Sequence, residues 1–194
     1  KFQLDLVDPM ASVAYRFLLA SLISWFFCFF SGRLMVFSLT DHFFMILQGV
    51  FLFALNYWLF YLSELTLTSG LAAVIFSTIV VMNMVNGIIF LKNRLEHRVI
   101  IGALLGCVGI IFVFWSEITN FETDSENIKA VCFAFLATYL ASLGNIASAR
   151  NQSSGISVLQ SNTFGMTYGA LFMFLLCFAT GKELLFEFTL PYIG

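Results

Sequence analysis

Groups able to do chemistry are scarce in this chain, and most of them sit inside long apolar runs. Arg16 is the one full charge within such a run. Asn83 and Asn86 are three apart, which places both on one face of a helix. Thr138, Ser142 and Asn145 form a polar stripe at helical spacing, and Gln160, Thr163 and Thr167 form another. Asn56 stands among Tyr57, Trp58 and Tyr61. Amides, hydroxyls and a guanidinium recognise ligands by hydrogen bonding and charge. Catalysis needs more, and no acid, nucleophile and base converge. His42 and His97 have no Ser, Cys or metal-spaced partner nearby. Cys28, Cys107, Cys132 and Cys177 lie in apolar runs with no CxxC or Cys/His spacing, so they read as small buried hydrophobes. The expectation is a protein that is not an enzyme, with no cofactor and no metal.

The elements that must position these groups are transmembrane helices. The uncharged runs cover residues 43–63, 65–91, 99–116, 130–149 and 151–181, and a sixth, 9–32, is interrupted only by Arg16. A hydrocarbon core about 30 Å thick needs about 20 apolar residues of helix, since lipid cannot satisfy an open backbone amide. Hydrophobic residues make up 60%, charged residues 10%, and mean hydropathy is +0.95; a soluble domain carries about 25% charged residues. The fold class predicted is an all-α, polytopic transmembrane bundle with six visible spans. A net charge of -2 with no basic stripe gives no case for a nucleic-acid partner. The partners expected are the lipid bilayer and a small-molecule substrate.

In that setting each polar group has two readings. Arg16 lies about two turns past Pro9, so it either snorkels to the outer headgroups or faces a cavity. Asn83 and Asn86 must point into the protein, as interhelical glue or as ligand contacts. The stripes on the sixth and seventh helices are expected to share an aqueous cavity. Asn56 and Trp58 cannot share one face, so at most one of them lines it. Glu64 reads as a solvated interfacial carboxylate. Gly102, Gly106 and Gly109, with Gly165 and Gly169, match small-xxx-small spacing and imply close helix packing, within the chain or between copies in a homo-oligomer.

Loop charges give sidedness. Alternate loops carry Arg33, Lys92, Arg94, Arg98 and Arg150 on one side, against Lys129 and Lys182 on the other. Short loops rich in Lys and Arg face the cytoplasm. The chain also echoes itself. Ser12-Val13, leading to Ser31-Gly32-Arg33-Leu34, is matched by Ser157-Val158, leading to Thr180-Gly181-Lys182-Glu183-Leu184, with an offset growing from 145 to 149. The two copies run in opposite directions by parity, as in inverted-repeat transporters.

Residues 57–115 carry a more specific pattern. Tyr61-Leu62-Ser63-Glu64-Leu65-Thr66-Leu67-Thr68-Ser69-Gly70-Leu71-Ala72-Ala73 is followed by an apolar helix, then Leu91-Lys92-Asn93-Arg94-Leu95, then Ile101-Gly102-Ala103-Leu104-Leu105-Gly106-Cys107-Val108-Gly109. This resembles the end of an EamA-type repeat of the drug/metabolite transporter superfamily, and Pro9 with Arg16 resembles the start of its second helix. Two departures are Val80, where many members carry a mid-helix proline, and Asn93, where the loop motif has Glu. The resemblance implies a ten-helix transporter of two inverted five-helix halves. Residues 1–116 would be helices two to five of the first repeat, 117–127 an outer loop, and 128–194 helices six and seven of the second. Helix one and helices eight to ten are expected in a longer protein. The function implied is movement of a small metabolite, amino acid or drug-like molecule by alternating access, as exporter or exchanger, in a bacterial inner membrane. The rival reading is a non-transporting scaffold or sensor associating through glycine faces.

Overall fold

The computed structural model describes residues 8–92 and 97–182. Asn93, Arg94 and residues 183–194, for which the sequence raises expectations, lie outside that set. Among the described residues there is no strand. The described residues form seven helices: α1 (Pro9–Phe30), α2 (Leu39–Glu64), α3 (Ser69–Leu91), α4 (His97–Val113), α5 (Trp115–Thr119), α6 (Ser125–Ser153) and α7 (Val158–Ala179). Five of them, all but α4 and α5, are long and apolar enough to cross a membrane. Of the six spans expected, 99–116 is instead the 17-residue α4, which breaks at Phe114 before the single turn of α5. At 1.5 Å per residue α4 is about 26 Å long, a little short of the hydrocarbon thickness.

Local signals set the boundaries. Asp8 caps Met10 at the start of α1, where Pro9 opens the helix; proline suits that position because its missing N–H would have no intrahelical partner. Ser38 and Asp41 form a reciprocal capping box on α2, and Ser157 with Gln160 does so on α7. The helix of the run 130–149 does not stop at residue 149, nor does that of the run 151–181 begin at 151. Helix α6 continues to Ser153, the chain reverses over 154–157 with Gly155 at φ 84, and α7 starts at Val158. The turn is marked by the glycine and the Ser-x-x-Gln box, and Arg150 and Asn151 belong to the helix.

Two helices depart from α geometry. Residues Gly49–Leu55 of α2 form a π segment, with the Asn56 amide donating to the Phe51 carbonyl five residues back. Such segments hold one residue more than the α period and recur at functional positions. Helix α3 breaks at Thr78. Val80 stands where many members carry a proline, and the break occurs without one. Ser77 and Thr78 donate their hydroxyls to the carbonyls of Val74 and Ile75 (2.6 Å each), and Cys107 donates to the Ser77 carbonyl. Hydroxyls bonded back onto their own helix bend it.

The helices pack in the order α4, α3, α6, α2, α7, α1. Helices from the two sequence halves therefore interleave: α6 lies between α2 and α3, and α7 between α1 and α2. Backbone contact is closest where α2 crosses α7. A Cβ on Gly49 would lie 2.4 Å from the Gly165 carbonyl oxygen and 3.0 Å from the Gly169 nitrogen. Where α2 meets α6, a Cβ on Gly144 would lie 2.6 Å from the Leu52 Cβ. By contrast, a Cβ on Gly102, Gly106 or Gly109 would meet nothing within 4 Å. The packing partner expected for that α4 face is not among the described residues.

Helices α1 and α7 are related residue by residue. Each has 22 residues, and the separations Pro9 to Val158 and Phe30 to Ala179 are both 149. The offset is thus constant, and Ser12 matches Ser161, not Ser157. Both helices end in the same reversal: Arg33 donates to Cys28 and Lys182 to Cys177, with Gly32 and Gly181 at φ 61 and 65. Contacts across the pair repeat under the same exchange. Trp25 packs edge-on against Phe164 (4.9 Å), and its equivalent Phe174 packs edge-on against Tyr15 (5.6 Å). Arg33 donates to the α7 cap Ser157 (3.0 Å), and Lys182 bonds the α1 cap Asp8 (2.7 Å). The Asp8 carboxylate raises the Lys182 pKa above 10.5. The stability contributed by the Lys182 charge is therefore present at neutral pH and fades as pH climbs past the folded-state pKa.

Candidate functional site

The polar residues singled out in the sequence do not meet in one cavity. They divide among a seam between α3 and α6, a seam between α1 and α7, and a pocket among α1, α2 and α3.

In the first seam Asn86 donates to Ser142 at 2.8 Å, both buried, and Asn145 donates to Asn83 at 3.4 Å. Thr138, fully buried on the same stripe, donates to the Ala134 carbonyl of its own helix (2.7 Å). In the second seam Trp25 donates to Thr167 (3.0 Å), and Thr163 lies 3.5 Å from the Cys28 Sγ. Both threonines also donate to carbonyls four residues earlier. Gln160 closes the cap of α7 and donates to the Leu34 carbonyl (2.8 Å). The stripes on α6 and α7 thus face α3 and α1 respectively, not each other. The reason is saturation: threonine hydroxyls are satisfied by their own backbone, and the amides find partners across the nearest helix. Replacing Asn86 by Ala, which strands the Ser142 hydroxyl, should lower stability by about 1 kcal/mol; unfolding in mixed micelles measures it.

The pocket among α1, α2 and α3 has a volume of about 320 Å³ and is lined by Arg16, Asn56, Tyr57, Phe60, Glu64 and Phe76, among others. The Arg16 guanidinium lies 5.5 Å from the centre of the Tyr61 ring, within cation–π range. Asn56 is 6% exposed; its amide donates to the Leu52 carbonyl, while its Oδ1 is buried and has no hydrogen-bond partner among the described residues. A buried acceptor without a donor is costly, and a ligand or water carrying an N–H or O–H would relieve it. Trp58, two residues on, packs instead into the apolar core formed by α1, α2 and α7.

Sequence reasoning missed the most connected polar cluster. Gln48 and Asn151 are both fully buried. Gln48 donates to Asn162 (2.8 Å) and accepts from Asn151 (3.0 Å), so one side chain joins α2, α6 and α7. Next to it Arg150 pairs with Asp41 at 2.7 Å and stacks 4.2 Å above the Phe44 ring. The available signal was a glutamine inside the uncharged run 43–63. Asn151 was hidden by the assumption that Arg150 marked a turn.

Apolar helices of spanning length, buried amide pairs and an apolar exterior define a multi-pass helical membrane protein. The model of the EamA-like transporter family matches residues 1–115, and the chain belongs to that family. It is also 26% identical over 168 residues to a protein described as an uncharacterized transporter in the trpA 3' region of Buchnera aphidicola subsp. Schlechtendalia chinensis. That match covers 87% of this chain and 54% of the relative, so the chain spans about half the relative's length. No solved structure matches it.

Proposed function

We propose that this chain forms part of a bacterial inner-membrane transporter that moves a small metabolite by alternating access, as exporter or exchanger. The observation that carries the reading is the α1–α7 pair, two helices 149 residues apart that run antiparallel and exchange equivalent contacts. Opposed repeats of this kind build transporters whose substrate sites lie between the repeats near the midplane. Family membership and the transporter-named relative point the same way. The proposal extends to a ten-helix whole, with residues 1–116 and 128–194 belonging to successive repeats, and the same symmetry supports it.

The interleaving of α6 and α7 with α1–α3 changes the mechanics. Sequence halves cannot swing apart as intact bodies without tearing both buried seams. Motion instead falls on the two irregular points, the π segment of α2 and the break at Thr78 in α3. Substrate enters by the pocket holding Arg16 and Asn56, whose unsatisfied Oδ1 supplies a ready acceptor. Counterflow into liposomes containing the full-length protein, across a metabolite panel, tests the reading. Accumulation of at least one metabolite is expected, with loss on Asn56→Leu. No accumulation with a folded protein favours a scaffold joined through glycine faces, a reading supported by the exposed Gly102, Gly106 and Gly109.

A further inference from the structure

A second cavity, about 450 Å³, lies between α2, α3 and α6 at the end where Arg33, Lys92, Arg98 and Arg150 gather. Its walls are apolar, including Phe44, Leu47, Phe51, Leu91, Leu143 and Ile146, and its one charged lining group is Arg150. The polarity is graded along the helix axes. Arg150 is three residues from the end of α6, while Ile146 and Leu143 follow one and two turns towards the middle of that helix, as Leu47 and Phe51 follow Phe44 on α2. The guanidinium is only partly used. Its bonds to Asp41 (2.7 Å) and Asn151 (3.5 Å) both run through Nη1, and a guanidinium carries five donors in a planar fork. Its Cζ lies 4.2 Å from the centre of the Phe44 ring, a cation–π contact that holds the fork at the cavity's rim. An oxyanion at the polar end with a hydrocarbon chain running towards the midplane fits this arrangement.

We propose that the cavity between α2, α3 and α6 holds an acyl chain of an anionic phospholipid whose phosphate sits on Arg150. Basic pockets between transmembrane helices suit acidic headgroups. Exposed Lys92, directly after Leu91 at the mouth, adds attraction, and Asp41 limits the site to a single phosphate by holding Nη1. This assignment is independent of whether the protein transports anything.

Native mass spectrometry of the full-length protein, released from mild detergent with palmitoyl-oleoyl phosphatidylglycerol or phosphatidylcholine, tests it. Phosphatidylglycerol adducts should exceed phosphatidylcholine adducts about fivefold at equal lipid concentration. Arg150→Gln should erase that preference, whereas Arg33→Gln, at the same end but outside the cavity, should keep it. Leu91→Trp, which fills the mouth and spares the ion pair, should reduce adducts of both lipids, and decides the matter if Arg150→Gln fails to fold. Equal adducts on the wild type, or a preference that survives in folded Arg150→Gln, would overturn the proposal. So would displacement of phosphatidylglycerol by a small acidic metabolite, since the cavity would then be a substrate site.

Discussion

Gly49→Val should abolish a stable fold. The new side chain would be driven into the Gly165 carbonyl and the Gly169 amide, and both are backbone atoms of α7 that no rotamer change can move. Overpacking of a core by ordinary side chains costs about 1–3 kcal/mol; here α2 and α7 must separate, and with them the seams on either side, so about 3 kcal/mol or more is expected. Gly49→Ala should show the same defect in milder form. Gly106→Ala serves as the control, because its Cβ meets open space and alanine favours helix by about 1 kcal/mol. Size-exclusion profiles and thermal unfolding of the detergent-solubilised protein separate the cases: the control should match or exceed the parent, and Gly49→Val should aggregate. A monodisperse Gly49→Val with the parent's midpoint would refute the close crossing of α2 and α7.

Gln48→Leu should have the next largest effect. A single interhelical hydrogen bond in a membrane is worth about 0.6 kcal/mol on average, yet this side chain makes two, and its loss strands the buried Asn151 amide and the Asn162 carbonyl oxygen. The orphaned amide of fully buried Asn151 adds about 1–3 kcal/mol, so with the two lost bonds a loss of about 2–4 kcal/mol is expected. Adding Asn151→Leu should restore part of it, since one of the stranded groups then disappears. Unfolding free energies of the two single variants and the double variant give the coupling. A double variant whose loss equals the sum of the singles would mean that Gln48 and Asn151 do not share a bond.

How much of this was legible depends on whether a signal was local. Span locations followed from apolar length alone, because lipid leaves the backbone no other solution. Caps such as Ser157 with Gln160 were also written in the chain, though the absence of charge from Asn151 to Gly181 masked the turn before them. Facing was not legible. A stripe such as Thr138, Ser142 and Asn145 reveals that it avoids lipid, and says nothing about which neighbour it meets; α3 was its partner, not α7. The break at Thr78 was missed because proline was the signal sought, whereas two consecutive hydroxyls did the bending. The Gln48 cluster was missed because its members lie 103 and 114 residues apart in sequence, and their meeting is a product of the helix order.

The π segment in α2 has a consequence for sequence change. Removing one residue between Gly49 and Leu55 would let the helix regularise at almost no backbone cost, and everything after it would keep its facing, because the π segment takes up one extra residue within a turn. Asn56 and Glu64 would then stay beside Arg16, and Trp58 in the core, with Gln48 at its post. The regular stretch after Asn56 has no such slack, and a deletion there would swing all that follows by about 100° about the axis. The extra residue therefore works as a length buffer, so that a relative one residue shorter at this point would present the same faces.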